Sequence, residues 1–312
     1  MRIVVTGGAG FIGANLCRTL LAEGHEVVAL DDLSSGSAAN LAGTEARLVT
    51  GSILSAESLD QACDGAHAIA HLAALGSVPR SVAEPLPTLA ANATGTAMVL
   101  EAARRHGGLL TVLAGSSSVY GANPALPKHE GLVPQPLSPY AASKLATETY
   151  ALAWSRSYGL PVLPFRFFNV FGPLQSPHHI YAAVVPRFVA AALAGEPLII
   201  YGDGQQSRDF TYVGTVAGLL AEALTTGVAV DGPVNLAFGS RVTLLQLVAE
   251  LSDLLSTPLT VRHEPERAGD VRHSQAANDR LMQLFPHAQP VPLREGLRAT
   301  VEWMQAQREG AS

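Results

Sequence analysis

Cysteine is scarce in this 312-residue chain, which has two, and that scarcity argues against a disulfide-stapled scaffold or a cysteine-rich metal site. Cys17 and Cys63 fall in segments that read as a helix and a helix end, so both are expected as small buried thiols in a reducing cytoplasm, with no metal bound. Charge is thin too: Asp, Glu, Lys and Arg make up 15%, the net charge is -6, and nowhere do Lys and Arg form a block. Such a balance offers no electrostatic footprint for nucleic acid or an anionic membrane surface. Long apolar runs are missing as well. The richest stretch, 182–200, is interrupted by Arg187, Glu196 and two prolines, so it falls short of the roughly 20 apolar residues that span a bilayer. The start, MRIVVTGGAGFIG, has no long apolar core followed by a cleavage site, so no export signal is expected. What remains is a chain that is 48% hydrophobic, enough for a sizeable core in one large or two modest domains.

Through the first half, short β-branched runs alternate with longer helical patterns, the signature of a parallel sheet covered by helices on both faces. Strands are predicted at 2–6, 26–30, 46–50, 66–71, 109–114 and 161–167, with helices at about 11–23, 55–62, 87–106 and 139–158. The fold class is therefore α/β, a doubly wound parallel-sheet Rossmann domain. After Phe168 the regularity breaks at NVFGPLQSPHHIYAA, and a helix at about 183–194 and a strand near 198–201 follow. A helix at about 213–226 and the strand PVNLAF return to the first sheet, whereas RVTLLQLVAELSDLL and REGLRATVEWMQAQ read as amphipathic helices outside it. This pattern predicts a cofactor domain at 1–167 plus about 211–238, and a smaller, discontinuous α/β substrate domain at 168–210 plus about 239–312. Ligands of open α/β sheets bind beyond the carboxyl ends of the strands, so the cleft between the two parts is the expected site.

The first strand runs into TGGAGFIG, which spaces Gly7, Gly10 and Gly13 at a strand-to-helix junction. The first glycine allows a tight turn, the second lets backbone amides approach a pyrophosphate at the helix start, and the third permits close helix packing. The second strand ends in Asp31 and Asp32, where an acid binds the adenosine ribose hydroxyls and repels a 2'-phosphate, so NAD is expected rather than NADP. Asp31, nearer the strand end, is the preferred ribose ligand. Either carboxylate also suits an Asx turn.

The strand ending at Ala114 is followed by GSSSVYG, and further on comes SPYAASK, in which Tyr140 and Lys144 are four residues apart. On a helix that spacing puts both side chains on one face. An ammonium beside a phenol favours the phenolate and is expected to lower its pKa from about 10 toward neutrality, which makes Tyr140 a general base. A hydroxyl from Ser116 or Ser117 at the sheet's carboxyl end would share the proton.

Together TGGAGFIG, GSSSVYG and SPYAASK resemble the extended short-chain dehydrogenase/reductases that modify nucleotide sugars, over essentially the whole chain. Within that group, LAALGSVPRS, FRFFNVFG, YAAVVP, YGDGQQSRDFTYV and RAGDVRHS look like the bacterial UDP-N-acetylhexosamine 4-epimerases. The resemblance implies that Tyr140 is the base, that Lys144 positions it and holds the nicotinamide ribose, and that Ser116 completes the triad, with Ser117 and Ser118 facing the sugar. It also implies that Phe11, Ile12, Ile53, Leu72, Ala73 and Ala74 line the cofactor, and that Asn169 contacts the substrate. Arg208 and Arg267 would hold its diphosphate, as suits the two-pronged guanidinium, and Asp270 would hold the uridine ribose. Where relatives carry an aspartate against adenine, this chain has Ser52. Ser274, four residues after Asp270, stands where a bulky tyrosine narrows the sugar pocket of some relatives, so N-acetylated sugars are expected to fit.

The activity implied is 4-epimerisation of a UDP-hexose or UDP-N-acetylhexosamine through a transient 4-keto sugar, in a homodimer paired through the helices at 87–106 and 139–158. A uronate 4-epimerase is the alternative, with His178, His179 and Arg187 as candidate partners for a substrate carboxylate. A 4,6-dehydratase would need an Asp-Glu pair where Ser117 and Ser118 stand. A non-catalytic NAD-binding protein would have no need of both Tyr140 and Lys144.

Overall fold

The computed structural model describes residues 1–177, 182–266 and 272–309. Strands β1 (Arg2–Thr6), β2 (Glu26–Asp31), β3 (Arg47–Thr50), β4 (Ala68–His71), β5 (Leu110–Ser116) and β6 (Val162–Phe167) form one sheet with Val234–Leu236. Its order is β3-β2-β1-β4-β5-β6 followed by Val234–Leu236, and every neighbouring pair is parallel. The chain reverses its direction of travel between β1 and β4, which creates a crevice at their carboxyl ends.

Alternation along β1 explains the layers, because successive side chains of a strand point to opposite faces. Ile3 and Val5 join a core with helix α1 (Phe11–Ala22) and the helix Val213–Thr226. Val4 joins the opposite core with residues of the helices Ala56–Cys63, Gly95–Arg105 and Pro139–Tyr158. Cys17 lies in the first core and Cys63 in the second; both are free, and burial pushes their thiols up to about 12 and about 11.

The helix expected over 87–106 begins at Pro85 and runs to Arg105, but Ala90–Thr94 forms a π turn. Residue periodicity does not disclose the extra residue in such a turn. Asn92, inside it, is buried and uses its side chain on the backbone of Leu75, accepting from the N–H at 2.8 Å, and on the Ser143 hydroxyl at 2.9 Å.

Outside the large sheet, Val184–Ala194, Leu244–Leu255 and Leu293–Glu309 enclose a third core containing Phe171, Phe188, Ile200, Leu247 and Val301. Leu198–Tyr201 pairs there in parallel with Val261–Glu264, a strand that the sequence pattern does not announce. No helix among the described residues is long and apolar enough to cross a membrane, and no cluster of His, Cys, Asp and Glu among them suits a metal ion.

Candidate active site

A cleft of about 1140 Å³ opens at the crevice and is lined by Gly7, Gly10, Asp31, Ser116, Tyr140 and Lys144 among others. At its floor Gly7 has φ +70°, and a Cβ on it would lie 2.7 Å from the Ala73 amide nitrogen. A Cβ on Gly13 would lie 2.0 Å from the Gly7 carbonyl oxygen, so helix and turn approach too closely for any other residue. Gly10 caps α1 without any side-chain hydrogen bond. The first-turn amides of Phe11, Ile12 and Gly13 therefore have no partner within the helix and face an open cleft. These groups fit a dinucleotide's pyrophosphate, by close backbone approach and by the positive end of the helix dipole.

Asp31 is buried at the end of β2 and lines the cleft. One carboxylate oxygen accepts the Ala9 amide at 2.9 Å and the other the Leu33 amide at 2.8 Å. Burial pushes its pKa up, opposed by those two N–H groups. Asp31 thus ties the glycine-rich turn to the strand end, in addition to facing the cleft. Asp32 makes a local Asx turn, accepting from the Ser34 amide at 2.9 Å. Ser52 lines the cleft too, accepting the Leu54 amide at 3.1 Å, beside Ile53, Leu72, Ala73 and Ala74.

Tyr140 and Lys144 owe their positions to the start of one helix. Ser138 caps it by accepting the Ala141 amide at 3.1 Å, and Pro139 occupies the first turn, where no amide donor is needed. Lys144 is buried and its Nζ donates to the Ala114 carbonyl of β5 at 2.8 Å. Burial brings its pKa down to about 8. The Tyr140 phenol is shifted upward, chiefly by burial, with the neighbouring Ser116 hydroxyl pulling the other way. The expected lowering is therefore reversed in this structure. Desolvation of the phenolate dominates and Ser116 alone opposes it, while the Lys144 ammonium is engaged by the Ala114 carbonyl.

Ser116 is the hub of the serine cluster, accepting the Ser118 hydroxyl at 2.8 Å and the Ser118 amide at 3.2 Å. Its place beside Tyr140 separates it from Ser117, which shares the cleft wall with Ser118. The sheet end is braced from behind by a buried pair: Arg166 of β6 grips Glu148 of the Tyr140 helix with two hydrogen bonds of 2.8 and 2.7 Å. Deeper still, His71 lies between Thr6 (2.8 Å) and Thr96 (3.0 Å), held neutral by burial with a pKa of about 3.

A second cavity of about 280 Å³ continues the cleft and shares Asn169, Val170, Ala182, Ala183 and Arg208 with it. Asn169, at φ +29°, donates to the Asp209 carbonyl at 3.0 Å. Asp209 is fully buried and is not committed to Arg208. Its carboxylate accepts the amides of Gly239, Ser240 and Ala276 at 3.0, 3.1 and 3.0 Å, which pins the segment after Ser274. Ser274 lines the cleft. Arg267, Asp270, His178 and His179 lie outside the described residues.

Sequence reasoning missed Lys128, which is 4% exposed yet lines the cleft, and it gave no role to Arg80, which also lines it. Lys128 sits in the proline-rich loop between Gly121 and Ser138, where no periodicity marks a position. Asn92 and His71 escaped for another reason: each looks like an ordinary helix or strand residue until its neighbours are known.

A glycine turn open to a pyrophosphate, an acid at the next strand end and a Ser116–Tyr140–Lys144 set at the switch point define a dinucleotide-dependent enzyme of the short-chain dehydrogenase/reductase type. The chain belongs to the NAD dependent epimerase/dehydratase family, which residues 3–237 match, and its cofactor is NAD. It is 38% identical over 310 residues to the UDP-glucose 4-epimerase of Mycolicibacterium smegmatis, covering 97% of this chain and 98% of that one. The solved UDP-N-acetylglucosamine 4-epimerase of Methanobrevibacter ruminantium, in complex with UDP-N-acetylmuramic acid, superposes with a TM-score of 0.92 at 37% identity, 98% of each chain being covered. The UDP-glucuronic acid 4-epimerase of Bacillus cereus, solved with UDP-glucuronic acid and NAD, gives 0.89 at 28% identity, covering 98% of this chain and 100% of that one.

Proposed function

We propose that this protein is a 4-epimerase of a UDP-sugar, with a UDP-hexose or UDP-N-acetylhexosamine as substrate. The observation that carries the reading is the placement of Tyr140 beside Ser116 in one cleft with the glycine-rich turn, next to the neutral Ser117 and Ser118. Tyr140 takes the proton from the 4'-hydroxyl, with Ser116 sharing the hydrogen bond, and returns it after the 4-keto sugar has turned its other face. Lys144 keeps a positive charge within reach of the phenolate as it forms. Bound NAD would supply the hydride acceptance and return that this cycle needs. Asp31 holds the adenosine ribose and the α1 amides hold the pyrophosphate. Asn169, Arg208, Arg267 and Asp270 would hold the UDP portion, which extends toward the second cavity, lined by Tyr201 and Phe210 among others. Serines at 117 and 118 offer no proton comparable to a carboxylic acid's, which disfavours dehydration. We also read the protein as a homodimer, supported by the exposed Val82, Leu86, Leu89 and Tyr150 on neighbouring helices.

Because the cycle returns its hydride, NAD is expected to co-purify, and turnover should need no added cofactor or reductant. The test is to denature pure protein and identify the released nucleotide, then to incubate fresh protein with separate UDP-sugars and resolve the products. Recovery of NADP would refute the role given to Asp31, and a requirement for a continuous supply of NADH would refute the epimerase cycle.

Ser274 supplies a second expectation. A Ser274→Tyr variant overfills the cleft beside the sugar, at about 1–3 kcal/mol, and should lower turnover of UDP-N-acetylglucosamine relative to UDP-glucose. An unchanged ratio would place Ser274 away from the sugar.

A further inference from the structure

Lys128 is a buried cation that the proposed chemistry leaves unused. It lines the same cleft as Ser117, Ser118, Tyr140 and Ser274, with 4% of its surface exposed. Among the described residues it forms no ion pair, and its Nζ has one hydrogen-bond acceptor, the Asn123 carbonyl. An ammonium has three donors to satisfy, and leaving them unmet away from water is costly. Burial accordingly lowers its pKa. A lysine kept for structure alone would be expected to meet a carboxylate or to extend its head into water.

The backbone under this side chain is clamped. Its amide donates to the Gln275 carbonyl at 2.7 Å, and its carbonyl accepts the Ala277 amide and the Asn235 side chain, each at 2.8 Å. Asn235 in turn accepts the Tyr120 hydroxyl at 2.6 Å, and its amide donates to Glu130 at 2.8 Å. Lys128 is thereby bridged to the segment that begins with Ser274. Lys128 and the small Ser274 line the same cleft, joined through the backbone pairing of Lys128 with Gln275 and Ala277. Space for a substituent and a donor for it occur together, and the donor's position is set before any ligand arrives.

We propose that Lys128 recognises a carbonyl-type oxygen, of an amide or a carboxylate, carried on the hexose ring, so that UDP-sugars bearing such a group are preferred over the plain UDP-hexose. This rests on the UDP-sugar reading above. The diphosphate is the competing acceptor, but it is common to every UDP-sugar, and a contact with it would not discriminate among them.

The experiment uses the full-length protein as wild type, Lys128→Met and Lys128→Arg, each checked for an unchanged melting transition and NAD content. For each, kcat/KM is measured with UDP-N-acetylglucosamine, UDP-glucuronic acid and UDP-glucose, and binding of each by calorimetry. Loss of a charge-assisted hydrogen bond should cut the preference over UDP-glucose about 10- to 100-fold in Lys128→Met, with most of it regained in Lys128→Arg. A loss confined to the N-acetyl sugar identifies the amide, and one confined to the uronate identifies the carboxylate. An unchanged ratio, or an equal loss on all three, overturns the assignment. If the wild type neither binds nor converts any of the three, the UDP-sugar reading itself fails, and the role of Lys128 fails with it.

Discussion

Tyr140→Phe should lose about 100- to 10,000-fold in kcat, the range for removal of a general base, while retaining its NAD. Phenylalanine keeps the ring that packs at the start of the Pro139–Tyr158 helix and removes only the hydroxyl beside Ser116. The elements proposed to hold the cofactor, from Gly7 to Asp31, belong to other segments of the cleft and are untouched. Because burial raises the phenol's pKa in this structure, the reacting base must be formed against a desolvation penalty. Activity should therefore rise toward alkaline pH on the acid side of the profile, and that limb should disappear with the hydroxyl. Near-normal turnover in Tyr140→Phe would assign the proton to another group, and loss of NAD would make the effect one of binding.

Lys144→Met should remove most activity and, at neutral pH, leave the protein at least as stable as the wild type. The sign follows from linkage. Lys144 has a folded pKa of about 8 against an ordinary value of 10.5, so between those values the unfolded chain binds more protons and stability rises with pH. The penalty of burying the ammonium is fully present below about pH 8 and relieved by about pH 10.5, a span on the order of 3 kcal/mol. Methionine carries no such penalty. It does forfeit the hydrogen bond to Ala114, which offsets part of the gain at every pH alike. The stability of the variant relative to wild type should therefore be greatest at pH 7 and fall as the pH rises from 8 to 10.5. Thermal melts of both proteins at pH 7.5 and 10 check this. A difference independent of pH would mean that Lys144 titrates like an exposed lysine.

These two residues show how far a local pattern reaches. Their spacing of four on a helix that opens with Ser138 and Pro139 is written in consecutive residues, and the helix forms there for reasons of capping and φ preference. Their ionisation is not so written. The expected downward shift of Tyr140 considered the lysine alone, whereas the structure adds the walls of the cleft and directs the ammonium to Ala114. The serine cluster behaves similarly. Its position after β5 is legible, but the choice of Ser116 as partner of Tyr140 depends on how the strand end meets another helix.

The doubly wound sheet and the glycine-rich turn are legible in the sequence, because alternation along strands, helix periodicity and glycine spacing are short-range constraints that each segment carries alone. The sequence also carried the acid at the end of β2 and the tyrosine–lysine pair. Long-range packing set the parallel pairing of 198–201 with 261–264, the inward Asn92 of the π turn, the capture of three amides by Asp209, and the burial of Lys128 in the cleft wall. Each of these joins residues far apart in the chain. Whether a polar side chain there is solvated, paired or desolvated depends on neighbours that arrive from other segments, and no local pattern encodes them.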